Sequence, residues 1–178
     1  QAIGLREAIE RHRNSRGKIA GSLYWQLDDV WPAVSWSTVD HAGRWKLAHH
    51  AVRHANADQR IIWTRNPLEK GQMQVHNQSP SKLEDSQLTV QWRNQTGAIQ
   101  DSTTKTITIA AFATLDHTFA PPNARCALVT WHWRKRGGES IDSGHQLFVR
   151  PSEIQWPKAK INVDQNGDEF TVHSDRIA

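Results

Sequence analysis

From about Asn56 onward the chain is written in a period of two. The stretches "QRIIWTR", "QMQVHNQ", "SQLTVQWR", "KTITIAAF", "CALVTWHW" and "HQLFVR" each alternate apolar and polar residues. Successive side chains on a strand point to opposite faces, so such stretches bury one face and wet the other. Turn residues separate them, among them Asn66-Pro67, Asn94-Gln95-Thr96-Gly97, "PPN" at 121–123 and Gly137-Gly138. Short alternating strands at this spacing predict an antiparallel β-sandwich. A last pair, "AKINVDQNGDEFTVHS", reads as a hairpin about Asn166-Gly167. The segment "RPSEIQWPK" before it reads as a linker.

The part before Asn56 follows other rules. Ile3, Leu5, Ala8 and Ile9 lie among Arg and Glu at helical spacing, which predicts an amphipathic helix over 1–13, ended at Asn14-Ser15-Arg16-Gly17. Glu7 and Glu10 are expected on its solvated side. "KIAGSLYWQL" then reads as a buried strand, and Asp28 to Gly43 as a long loop. A second helix is predicted over "RWKLAHHAVRHANA", with Trp45, Leu47, Ala48, Ala51 and Val52 available for its buried face. Helix, strand, loop, helix is the repeating unit of an α/β architecture. One such unit cannot cover both faces of its strand. The chain opens on Gln1 rather than Met and is read as a piece of a longer polypeptide.

Composition narrows the function classes. The 178 residues are 37% hydrophobic and 22% charged, the balance of a folded chain, and no apolar run nears the about 20 residues a membrane span needs. The net charge of +4 comes from dispersed residues, with only short clusters such as Arg134-Lys135-Arg136, which argues against nucleic acid as a partner. Cys126 is the only cysteine and forms no internal disulfide. No feature assigns a compartment; periplasmic, cytoplasmic and lysosomal placements stay open.

The chemistry-bearing stretch is "GSLYWQLDDVWPAVSWSTVDHAGRWKLAHH", residues 21–50, with four of the nine tryptophans. Pyranose C–H faces lie against indole, and their hydroxyls need carboxylates and amides. "YWQLDD" supplies both at the predicted end of a strand, where parallel α/β folds set their binding loops. Trp25 is the candidate stacking platform, Gln26, Asp28 and Asp29 the polar partners, and Trp31 and Trp36 the rim. Trp45 is expected in core packing. Neighbouring residues on a strand face opposite ways, so Asp28 and Asp29 do not both flank one bond, and at least one should orient the loop. His50 and His54 stand four apart on a helix with His49 adjacent, but no third metal ligand accompanies them, and "DQNGDEF" lacks calcium-loop spacing. No cofactor or metal is expected.

The stretch from Gly21 to Arg53 resembles the end of the catalytic barrel in glycoside hydrolase family 2, in the β-mannosidase branch. The resemblance runs through Tyr24 to Asp29, Trp31-Pro32, Ser35-Trp36-Ser37 and Gly43 to Lys46. Asp28 stands where that branch commonly has Asn. The resemblance implies a mainly β chain: residues 1–57 as the last α/β unit of a (β/α)8 barrel, 58–150 as an immunoglobulin-like sandwich, and 151–178 as a linker and the first strands of a further β-domain. It implies a strand over 18–28. It also implies a retaining exo-β-mannosidase acting on terminal β-mannose, with both catalytic glutamates upstream of Gln1 and the 178 residues alone inactive. Sister activities, β-glucosaminidase or β-galactosidase, stay open, as do a non-catalytic carbohydrate-binding sandwich and an adaptor with an aromatic interface. The partners implied are a β-mannoside or related oligosaccharide and the remainder of the barrel, with a homodimer as one way to cover exposed barrel surface.

Overall fold

The computed structural model describes residues 1–15, 17–63, 71–122, 126–150, 152, 154 and 158–174. The expected turn at Asn66-Pro67, Asn123 of the Pro-Pro-Asn corner, and most of the linker before the last hairpin lie outside these residues.

Two helices open the chain, α1 at Ala2–Asn14 and α2 at Leu47–Ala55. Among the described residues nine strands follow, and those residues are mainly β. The first sheet has three antiparallel strands in the order β1 (Gln59–Trp63), β2 (Gln72–Asn77), β5 (Ala113–Thr118). The second has four, ordered β4 (Ile99–Ile109), β3 (Leu83–Arg93), β6 (Leu128–Arg134), β7 (Ser140–Leu147). Inward residues of both sheets share one core: Ile61, Met73 and Val75 from the first meet Val90, Trp92, Ile107, Val129 and Trp133 from the second. This is the expected antiparallel sandwich. Its edges shift by a few residues from the alternating stretches. β4 begins at Ile99 and stops before Ala110, and β7 begins at Ser140 and ends before Phe148. β5, "ATLDHT", carries no fully buried residue; Ala113 and Leu115 are partly buried against the core. A bulge between Leu83 and Ser86 puts Asp85 at φ 49°.

The last hairpin pairs β8 (Ile161–Asn166) with β9 (Glu169–Ser174). Asn166 pairs with Glu169, so Gly167 and Asp168 form the two-residue loop, and Gly167 takes φ 62°, open to glycine at no steric cost.

Three expectations for the first part are corrected. Residues 18–28 form no strand; a strand exists only through a hydrogen-bonded neighbour, and among the described residues this segment has one isolated bridge, Asp28 to Val39. It is also not buried, since Ile19, Leu23 and Leu27 are exposed. Trp45 precedes α2 and is 49% exposed, its ring tilted against His49 and edge-on to His50 with the Arg53 guanidinium over it, and Leu47 is exposed as well. The buried face of α2 is Ala48, Val52 and Ala55. Val52 and Ala55 pack on Ile9 of α1, with Leu5 and Tyr24 beside them. Glu10 is not a solvated residue: its carboxylate accepts from Arg60 of β1 at 2.7 Å. No described helix is long and apolar enough to cross a membrane.

Candidate functional site

Residues 24–46 fold about a small backbone framework. Val39 bridges to Asp28 on one side and to Trp45 on the other. Asp29 N–H donates to Val39 O (3.1 Å), Val39 N–H to Leu27 O (2.7 Å), and Lys46 N–H to Thr38 O (2.9 Å). The turn between the two arms is closed by Asp40. Its carboxylate accepts the Ala42 and Arg44 N–H groups at 2.9 Å each and the Arg44 guanidinium at 2.7 Å. Those donors hold the Asp40 carboxyl below its ordinary value, the Arg44 backbone N–H most, against the upward push of partial burial.

At the centre lies a buried polar knot. Lys46 Nζ reaches Asp29 Oδ2 at 2.8 Å and donates to Ser37 Oγ at 2.7 Å. Ser35 Oγ donates to Asp29 Oδ1. These donors, Lys46 foremost and then the Ser35 and Ser37 hydroxyls, lower the Asp29 carboxyl to about 2. A carboxylate with so many donors has few lone pairs left. Beside it Thr38, fully buried, donates through its hydroxyl to Leu27 O at 3.1 Å. Its oxygen is then free to accept from Tyr24 and from His49 Nδ1, both at 3.2 Å.

Outside the knot the aromatic residues stand clear. Trp25, Trp31 and Trp36 are 75%, 64% and 62% exposed. The Gln26 side chain donates to Asp28 O at 2.9 Å, and Asp28 itself is exposed. The Trp25–Gln26 peptide is cis. The two neighbouring aspartates are thus sorted by environment: Asp29 is inside and holds the loop, Asp28 is outside. The residues that build the scaffold, Lys46, Ser35, Ser37 and Thr38, stand outside the set picked from the sequence. The pattern "SWST" followed by a lone Lys at the entry of α2 was the available signal, but an ammonium-to-carboxylate pairing across 17 residues has no local signature. Among the described residues no group of three or more His, Cys, Asp or Glu side chains is placed to hold a metal.

No family model matches the chain. It is 49% identical over 41 residues to the β-mannosidase of Bos taurus, covering 23% of this chain and 5% of that protein. It is 43% identical over 56 residues to β-mannosidase A of Aspergillus niger, covering 30% and 6%. Among solved structures, the β-D-mannosidase of Dictyoglomus thermophilum superposes at a TM-score of 0.78 with 22% identity, over 99% of this chain and 22% of that one. An exo-chitosanase of Amycolatopsis orientalis superposes at 0.69 with 18% identity, over 100% and 21%. The chain therefore spans about a fifth of those structures, and the matched segments span 5 and 6% of the two curated relatives. Over those short segments the chain is β-mannosidase-like in sequence, and it shares its fold with parts of a β-D-mannosidase and an exo-chitosanase.

Proposed function

We propose that this chain is the C-terminal portion of a retaining exo-β-mannosidase, which removes terminal β-D-mannose from the non-reducing end of oligosaccharides. Residues 1–57 are the last α/β unit of its (β/α)8 barrel, residues 58–150 an immunoglobulin-like sandwich, and residues 151–178 a linker and the start of another β-domain. The catalytic glutamates lie outside these residues, which contribute one wall of the sugar subsite.

The observation that carries the reading is the exposed group Trp25, Trp31 and Trp36, set with Gln26 and Asp28 on the Asp29–Lys46 knot. A sugar needs a flat apolar platform and a few polar groups held still. Trp25 is the platform for the C–H face, Gln26 and Asp28 meet hydroxyls, and Trp31 and Trp36 line the rim. Asp29, already saturated by Lys46 and Ser35, positions the loop and leaves sugar contact to Asp28. An ionised Asp28 accepts from sugar hydroxyls but cannot donate, unlike an amide at the same place. The outward apolar side chains of Leu23, Leu27 and Val30 are the surface that the rest of the barrel covers.

The test is hydrolysis of a panel of aryl β-glycosides by the parent polypeptide, with the 178-residue chain as control. Activity on the β-mannoside from the parent alone supports the reading. Preference for the β-glucosaminide or β-galactoside moves the assignment to a sister exo-glycosidase. A parent inert on every sugar, with a chain that still binds mannose by calorimetry, favours a non-catalytic carbohydrate-binding sandwich.

A further inference from the structure

His54 sits at the C-terminal end of α2, where the helix meets the sandwich. Its Nε2 lies 3.1 Å from Asp142 Oδ1, on the far strand β7, and donates to it. Asp142 is nearly inaccessible, and it is the meeting point of four elements. Arg60 of β1 donates to both of its oxygens, at 2.9 and 3.0 Å. The Ile61 N–H reaches Oδ2 at 2.9 Å, and Trp131 Nε1 of β6 reaches the same oxygen at 3.1 Å. The other arm of the Arg60 guanidinium holds Glu10 of α1 at 2.7 Å. One buried cluster therefore fastens both helices to both sheets.

The opposite end of α2 holds the tryptophan loop. Lys46, at the helix entry, carries the Asp29 and Ser37 contacts, and its N–H donates to Thr38 O. His49, in the first turn, hydrogen-bonds Thr38, whose N–H and hydroxyl engage the Gln26 and Leu27 carbonyls. A nine-residue helix spans about 13 Å as one rigid body. A shift at its C-terminal end is thus carried to the backbone on either side of Trp25.

We infer that His54 is a positioning residue: through Asp142 it sets the seat of α2 on the sandwich, and through α2 it sets the placement of the Trp25–Asp29 segment. The inference deepens the proposed function and rests on it only for its kinetic consequence; the mechanical coupling stands apart from which sugar is bound. The sandwich is then more than an appendage to the barrel unit, because it fixes one wall of the site from behind. His54 is the informative position, since its side chain is half exposed and its loss leaves the Arg60–Asp142 pair in place.

The experiment compares His54→Ala and His54→Gln with the unchanged chain by amide hydrogen exchange. Gln retains an N–H donor at comparable reach. In His54→Ala the amides of Asp29, Thr38, Val39 and Lys46 exchange about tenfold faster or more, while those of Val90 and Val129 in the sandwich core keep their protection. His54→Gln restores slow exchange in the loop. Unchanged loop exchange in His54→Ala overturns the inference, as does loss of protection across the whole chain with no rescue by Gln. In the parent polypeptide His54→Ala raises KM for an aryl β-mannoside several-fold, with a smaller change in kcat. A parent without glycosidase activity refutes the function and leaves the exchange result to decide the coupling; an active parent whose KM and loop exchange both ignore His54 refutes the coupling alone.

Discussion

Lys46 and Asp29, 17 positions apart, close the tryptophan loop with a 2.8 Å ion pair whose carboxylate is nearly buried. The pair joins the end of the extended segment to the entry of α2. It thereby turns two exposed, weakly structured runs into one framework. Replacing Lys46 with Met removes the strongest donor, so the Asp29 carboxyl should climb from about 2 toward the ordinary 3.8. Carboxyl-carbon NMR titration of the two forms reads this directly. An Asp29 value unchanged in Lys46→Met would show that the hydroxyls alone hold it.

The same lowering gives a pH dependence with a definite sign. A carboxyl with a folded value below its unfolded value binds fewer protons when folded. Asp29 therefore contributes its full stabilisation above about 4, and the contribution is lost as pH falls toward about 2. Asp142 acts in the same direction. Its burial pushes the carboxyl up, but His54, Arg60, the Ile61 N–H and Trp131 together outweigh burial and leave it below the ordinary value. Acid unfolding followed by circular dichroism should begin below pH 4. In Asp142→Asn the slope of stability against pH over that range should be shallower.

Arg60 is expected to be the most sensitive polar position in the chain. Removing one partner of a buried pair strands the other charge, at a cost of about 3–5 kcal/mol. Arg60→Met should fall in that range by urea unfolding. The double variant Arg60→Met with Asp142→Leu should recover part of it, because no uncompensated charge is left. A double variant as unstable as the sum of the single ones would mean that the pair is not coupled.

Gly144 of β7 faces the Trp131 indole across the strand pair. A Cβ placed there would come within 2.5 Å of the ring. Trp131 cannot retreat without giving up its bond to Asp142. Gly144→Ala should cost about 1–3 kcal/mol through overpacking, measured by thermal or urea unfolding. Gly137→Ala, at a position with open space around it, is the control and should cost clearly less.

Trp25 should behave in the opposite manner. With most of its surface outside the fold, Trp25→Ala should change the stability of the chain by no more than about 0.5 kcal/mol. In the parent polypeptide the same change should lower kcat/KM for the β-glycoside substrate by about tenfold or more, the loss of one stacking contact. Normal turnover by Trp25→Ala would remove it from the sugar subsite.

Much of the sandwich was legible because burial on one face imposes a period of two that each strand shows alone. Trp92 and Trp133 fall on inward positions of "SQLTVQWR" and "CALVTWHW" by that rule, and both are buried. The last hairpin was legible from its glycine, although the two-residue loop is Gly167-Asp168 and not the expected Asn166-Gly167. β5 was not, because its inward face holds only two apolar residues, Ala113 and Leu115, and both are only partly buried. Trp45 was misread for a related reason: an indole on helical spacing signals a core only when another element lies against it. The candidate set at Tyr24–Trp36 was visible as an aromatic and acidic mixture. Which aspartate faced inward was not, since that depends on two serines further along the loop and a lysine beyond it.

The sequence by itself determined the two helices, most strands and the tryptophan-rich segment, because helix spacing, strand alternation and glycine turns are local properties of neighbouring residues. The tertiary structure alone decided that Arg60, Glu10, His54 and Asp142 meet, and that Asp29 rather than Asp28 is enclosed. Those outcomes depend on groups as far as 17 to 88 positions apart excluding water together. A buried charge is tolerated only where its partners converge, and convergence is a property of the packed chain rather than of any stretch of it.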